Sequence, residues 1–168
     1  MLYLVLTLLF IIFIISVYIF FKINKLKDIK ESLDLCEKKI SEALTNKYKI
    51  VLDILEKLND EKLNKYFTYT EDLSLVEREK SLFDIGFKIN KNLKGNKTKL
   101  KKFEEELKNL NINEESLDGL KDYYNANVLN YNEVFYKKYF NKIYKLFKFE
   151  EYKSFKIRKL EEYEIFKL

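Results

Sequence analysis

Few groups in this chain could do chemistry. It contains no histidine and a single cysteine, Cys36, which removes the usual general base, the commonest metal ligand and every triad built on imidazole. One cysteine also excludes an internal disulfide and any Cys-x-x-Cys metal site, so Cys36 reads as a small buried residue in a helix seam. Glu104-Glu105-Glu106 reads as a solvated helix face rather than a cation site. No nucleophile with its base, phosphate loop or metal cage has the spacing its chemistry requires. No catalytic residue, no cofactor and no metal is therefore expected.

The constellation that carries information is polar and aromatic. Tyr-Asn occurs twice, at Tyr124-Asn125 and Tyr131-Asn132. Seven residues are two helical turns, which puts Tyr124 and Tyr131 on one face beside Val128 and both asparagines on an adjacent one. Asparagine is a poor helix former because its amide competes for backbone hydrogen bonds. Two at this spacing imply side-chain hydrogen bonds to neighbouring elements; buried Asn can set register, and a buried Tyr hydroxyl needs a partner. Packing that pins the register is the simpler role, and a groove for a peptide or partner helix is the alternative. Just downstream, an aromatic strip that includes Tyr136, Tyr139 and Tyr144 is a candidate protein-interaction surface, since aromatics are enriched at interface cores; packing is again the competing role.

The elements that must position these residues begin at the amino terminus. Residues 2–21 carry no charge, and about 20 apolar residues at about 1.5 Å each match the roughly 30 Å hydrocarbon core of a bilayer. A cleaved signal peptide would need a basic start, a shorter apolar run and small residues at the cut, none of which is present. Lys22, Lys25, Lys27 and Lys30 follow the span, which predicts a short outside amino terminus, a cytoplasmic body and contact with anionic headgroups. The expected division is an anchor at 1–21 and a helical-bundle domain at 22–168, in which 149–168 could form a separate tail.

Beyond the span there is no proline and only three glycines, which leaves few of the turns that strands and hairpins need. The net charge of +5 is spread among interleaved Lys, Asp and Glu, without the clustered basic face that nucleic-acid binding requires. Leu26, Ile29, Leu33, Cys36, Ile40, Ala43, Ile50 and Ile54 recur at helical spacing, broken only by Lys47, and predict a broad buried face. With no Gly or Pro between residues 20 and 58, this helix can continue directly from the span. A turn is expected at Asn59-Asp60, a second helix from Ser74, with Ser74 and Glu77 as a capping box, to Leu93, and a turn at Lys94-Gly95-Asn96-Lys97. A third helix should start near Thr98 and stop at Asn111–Glu114, where a second capping-box pattern suggests a kink or loop. The last long helix then runs from about Glu114 to Phe147. The fold class is all-α: a transmembrane helix followed by an elongated antiparallel bundle of three to four long helices.

The Tyr124-Asn125 to Tyr131-Asn132 pattern, followed by Ile143 to Phe149 and then Phe155, resembles the carboxy-terminal signature of the LemA family, and Ala43 to Leu55 resembles that family's first-helix motif. The amino-terminal span fits its layout as well. Leu52, Lys138-Tyr139 and Lys148 stand where the family has Pro, Phe-Pro and Gly. The resemblance implies a single-pass, elongated helical protein of the bacterial cell membrane, amino terminus outside, with no established catalytic activity. Its motif residues here are Tyr124, Asn125, Val128, Tyr131, Asn132, Phe149 and Phe155. The expected function is a membrane-tethered scaffold or adaptor that engages a membrane or cytoplasmic protein, or a second copy of itself. A second reading is an anchored coiled-coil spacer of the cytoskeletal or division type.

Overall fold

The computed structural model describes residues 1–67, 69, 72–94, 97–137 and 141–155. Six helices account for most of them: α1 (Leu2–Leu58), α2 (Glu61–Tyr66), α3 (Leu75–Lys94), α4 (Lys97–Lys102), α5 (Glu104–Phe135) and α6 (Asn141–Leu146). No strand occurs among the described residues.

Helix α1 runs unbroken for 57 residues, as the absence of helix breakers between residues 20 and 58 predicts. Its opening section has a mean hydropathy of 3.0 with none of it buried against protein, so it is long and apolar enough to cross a membrane. The Thr7 hydroxyl donates to the Tyr3 carbonyl and Ser16 to the Ile12 carbonyl. Those bonds give the polar side chains partners within the helix. The helix stops where expected: Asn59 takes φ 48°, a left-handed conformation that asparagine tolerates better than most residues. Asp60 then caps α2, accepting from the Lys62 and Leu63 N–H groups at 2.9 and 3.3 Å.

Helix α3 begins with the capping box. The Ser74 N–H donates to the Glu77 carboxylate at 3.0 Å and the Glu77 N–H to Ser74 Oγ at 3.4 Å. Hydrogen bonds from the Ser74 hydroxyl and backbone hold the Glu77 carboxyl below its ordinary range.

Three expected boundaries are corrected. The break at Asn111–Glu114 does not exist, because α5 continues through it. The Glu114 carboxylate accepts from Lys47, and Asn113 Nδ2 donates to the Ala43 carbonyl at 3.3 Å; residues of the local capping pattern have tertiary partners. The second correction is at the far end, where α5 stops at Phe135 instead of running to Phe147. A straight helix would hold Phe135 and Tyr144 about 13 Å apart along its axis. The chain instead turns back, and the two rings stack with centroids 6.3 Å apart. The third helix also differs, being the short α4 followed by a turn at Phe103, whose N–H donates to the Leu100 carbonyl at 3.2 Å. The turn expected at Gly95-Asn96 and the tail beyond Phe155 lie outside the described residues.

The chain divides into two compact units, one of Met1–Leu35 with Asn125–Ser154, the other of Cys36–Tyr124 together with Phe155. In the second unit, α1 and α5 run antiparallel. Lys57 pairs with Glu106 at 2.6 Å, Lys47 with Glu114, and the Cys36 thiol donates to the Leu120 carbonyl at 3.4 Å, so numbers fall along one helix as they rise along the other. Helix α3 joins them through Arg78, which donates to Ser41 Oγ and Thr45 Oγ1 at 3.2 Å each, and through Glu79, which accepts from Lys121 at 3.1 Å. Leu44, Ile54, Leu82, Ile89 and Leu117 fill the core between them, each with no exposed surface.

Lys47 sits in that core at 1% exposure, where a lone ammonium would be untenable. Removing one partner of a buried pair typically costs about 3–5 kcal/mol, whereas apolar replacement of both is often neutral or better. Lys47→Ala is expected to lower the thermal midpoint of the detergent-solubilised chain sharply, and Lys47→Met with Glu114→Leu to recover most of the loss; circular dichroism melts measure both. Gly119, within α5, has open space where a Cβ would lie. Gly119→Ala should therefore stabilise by about 0.5–1 kcal/mol through helix propensity, read as a raised midpoint in the same melts.

Candidate functional site

The Tyr-Asn repeat lies on α5; Tyr124 belongs to the second unit, and Asn125, Tyr131 and Asn132 belong to the first. In the second unit, Tyr124 is buried; its hydroxyl donates to the Glu37 carboxylate at 2.8 Å, and its ring meets Phe155 edge-on at 5.2 Å. Cys36, one residue before Glu37, is buried too, and burial pushes its thiol up in pKa. Such a thiol packs and does not react.

In the first unit, the repeat organises an aromatic cluster. The Tyr131 ring is wholly buried, stacked on Phe135 at 5.9 Å and edge-on to Tyr152 at 4.9 Å. Burial pushes its hydroxyl up to about 12, with the Glu150 backbone acting in the opposite direction. Asn132 Nδ2 donates to the Tyr152 carbonyl at 3.0 Å, and the Tyr152 hydroxyl donates to Asp34 on α1 at 2.9 Å. The irregular stretch after α6 is thus tied at its backbone to α5 and at a side chain to α1. Tyr144 carries the cluster onward, facing Phe135 on one side and Phe149 on the other, each at 6.3 Å. Burial first, and the nearby Tyr18 second, raise the Tyr144 hydroxyl.

Against this cluster opens a cleft of about 510 Å³, walled by Phe135, Tyr136 and Phe149 and rimmed by Lys145, Lys148 and Glu151. Tyr136 is half exposed, and its hydroxyl donates to the Glu151 carboxylate, which holds the phenol up in pKa. Apolar walls with charges of both signs at the rim suit a peptide or a side chain, not a small anion.

Tyr124, Val128, Tyr131, Phe149 and Phe155 are buried, and Asn125 and Asn132 are half-buried. Of the three tyrosines expected on an interaction strip, Tyr136 is at the surface and Tyr144 has no exposed surface; Tyr139 lies outside the described residues. The alternation of outward and inward positions is lost once α5 ends, so Tyr144 turns toward Phe135 instead of solvent. Sequence reasoning missed Tyr152, which no helical spacing places near Asn132. It also missed the buried ionic groups Arg78, Glu79, Glu114 and Lys121. Their signal was charge at core-facing helical positions, the feature that singled out Lys47. Among the described residues, no group of three His, Cys, Asp or Glu is arranged to hold a metal ion.

Comparison of the chain with protein-family models, with curated proteins and with solved structures finds no match. The fold and the cluster define a helical protein with one apolar helix fit to span a membrane.

Asn132 hydrogen-bonds the backbone of the 149–154 stretch to α5 at Tyr152. Asn132→Ala should leave α5 intact while hydrogen exchange of the amides at Glu151–Ser154 accelerates, and Asn132→Asp, which lacks the donating amide, should do the same. Mass-spectrometric exchange on the full chain in micelles is the measurement.

Proposed function

We propose that this chain is a membrane-anchored, non-catalytic helical protein of the LemA type that works as a scaffold or adaptor at a bacterial cell membrane. In this reading α1 enters the bilayer with its amino terminus outside, and the remainder is a cytoplasmic, elongated antiparallel helical bundle. The observation that carries it is the opening of α1, where an uncharged section of mean hydropathy 3.0 is left uncovered by the rest of the protein. Exposing that much apolar surface to water is incompatible with a soluble protein. Lys22, Lys25, Lys27 and Lys30 directly after it support the cytoplasmic assignment of the body.

Two features of the site favour the family and the adaptor role. Lys148 adopts φ 59°, the left-handed region that glycine favours, at the position where the LemA pattern carries glycine. Tyr136, half exposed at the mouth of the aromatic cleft, offers a partner an apolar wall with a polar tip, a common makeup for an interface anchor. A coiled-coil spacer is disfavoured because it needs a free seam along α1, and Leu26, Leu33, Ile40 and Ile54 in that stripe have no exposed surface.

In a Cys36→Ala background, an impermeant maleimide applied to intact cells should label Leu2→Cys and spare Lys101→Cys; the reverse pattern would invert the orientation. Crosslinking from purified membranes, repeated with Tyr136→Ser, should lose a specific partner band that wild-type protein captures. An unchanged band pattern would remove the cleft from consideration.

A further inference from the structure

Within the first unit, α6 sits beside the point where the apolar section of α1 ends. Ile23 and Leu26 are the first core residues of α1, and the segment grouped with them in the first unit is Asn125–Ser154. Tyr144 of α6 packs on Phe135 at the end of α5, centroids 6.3 Å apart, and after burial the nearby Tyr18 of α1 also raises its hydroxyl. Tyr18 is one turn before the end of the uncharged run, with Lys22 Nζ 5.5 Å from its ring centroid. Helix α6 therefore belongs to the part of the fold that is grouped with the end of the span and the lysines after it.

There the chain turns an unusual surface outward. Leu146 is 82% and Phe147 56% exposed, adjacent in sequence, whereas the other exposed large apolar side chains described beyond the span stand singly in sequence. Between Glu133 and Glu150 there is no acidic residue, while five lysines occur. Three of these, Lys142, Lys145 and Lys148, bracket the two apolar side chains and are exposed. Adjacent large apolar residues ringed by lysines are the makeup of a segment that lies in a membrane interface, its apolar groups among the acyl chains and its ammonium groups reaching back to headgroups.

We propose that α6 and the turn after it form a second membrane contact beside the span: Leu146 and Phe147 enter the interface, and Lys142, Lys145 and Lys148 bind anionic headgroups of the same leaflet. This rests on the reading of α1 as membrane-spanning. The buried side of α6 is held by Tyr144 between Phe135 and Phe149, so the element is braced rigidly against the lipid surface.

The chain has no tryptophan, so a single introduced indole can report depth. Full-length Phe147→Trp and, as control, Phe10→Trp are reconstituted into phosphatidylcholine vesicles with and without phosphatidylglycerol, using lipids brominated near the headgroup or deep in the acyl chain. Expected is loss of emission from the indole at position 147 with the shallow quencher, stronger with phosphatidylglycerol present and weakened by Lys142→Glu with Lys145→Glu. The control indole at position 10 should respond to the deep quencher throughout. A quenched control beside an unquenched, solvent-like indole at position 147 overturns the proposal and leaves the span standing. An unquenched but blue-shifted indole at position 147 also overturns it, in favour of cover by protein or a second copy. An unquenched control sinks the span reading and this inference together.

Discussion

The structure depends on one continuity: α1 carries its helical phase from an apolar section into the protein core without a break. A helix with no glycine or proline from residue 20 to 58 has no cheap place to bend, so the direction in which Ile23 and Leu26 point is set by the same turns that precede them. Everything that packs on α1 must accept that phase. Of its stripe, Leu26, Leu33, Cys36, Ile40 and Ile54 are buried, while Ile29, Ala43 and Ile50 at the margin keep part of their surface.

The second unit adds an ionic layer to that stripe. Lys47–Glu114 and Lys121–Glu79 lie where a helical protein would ordinarily place Leu or Ile, and Arg78 reaches two α1 hydroxyls while its guanidinium lies 5.2 Å from the Tyr69 ring centroid. Buried charge is costly and is not retained for stability alone. Its effect is on alternatives. Sliding α5 by one turn along α1 would separate Lys47 from Glu114 and leave both unpaired in an apolar core, an outcome that a seam of leucines would tolerate. The ionic pairs thus discriminate between registers that the apolar stripe by itself leaves nearly degenerate.

In the first unit the discrimination is aromatic. Tyr131, Phe135, Tyr144, Phe149 and Tyr152 form a chain of ring contacts that folds the end of the described chain back onto α5, and Asn132 clamps the returning backbone at Tyr152. Aromatic rings bury much area with few rotatable bonds, which suits a small unit that has little interior volume. The same cluster supplies the wall of the cleft and the support for α6. Any contact made at Tyr136 or at Leu146 and Phe147 is therefore made from a braced platform.

Residue order alone determined the all-helical class, the apolar section, the uninterrupted passage from it into the body, the turn at Asn59-Asp60 and the Ser74–Glu77 cap, because each is a local matter of periodicity, propensity or a hydrogen bond within four residues. It also singled out Lys47 and the Tyr-Asn repeat as anomalies on their faces. What a lysine in a stripe pairs with is not local, and only the tertiary structure decided that Glu114 answers Lys47. The end of α5 at Phe135 is of the same kind: nothing in the spacing from 131 to 147 forbids a longer helix, and the turn exists because it lets Tyr144 and Phe149 bury their rings. Local patterns failed at the two places where a distant partner offered a side chain more than its neighbours in sequence could.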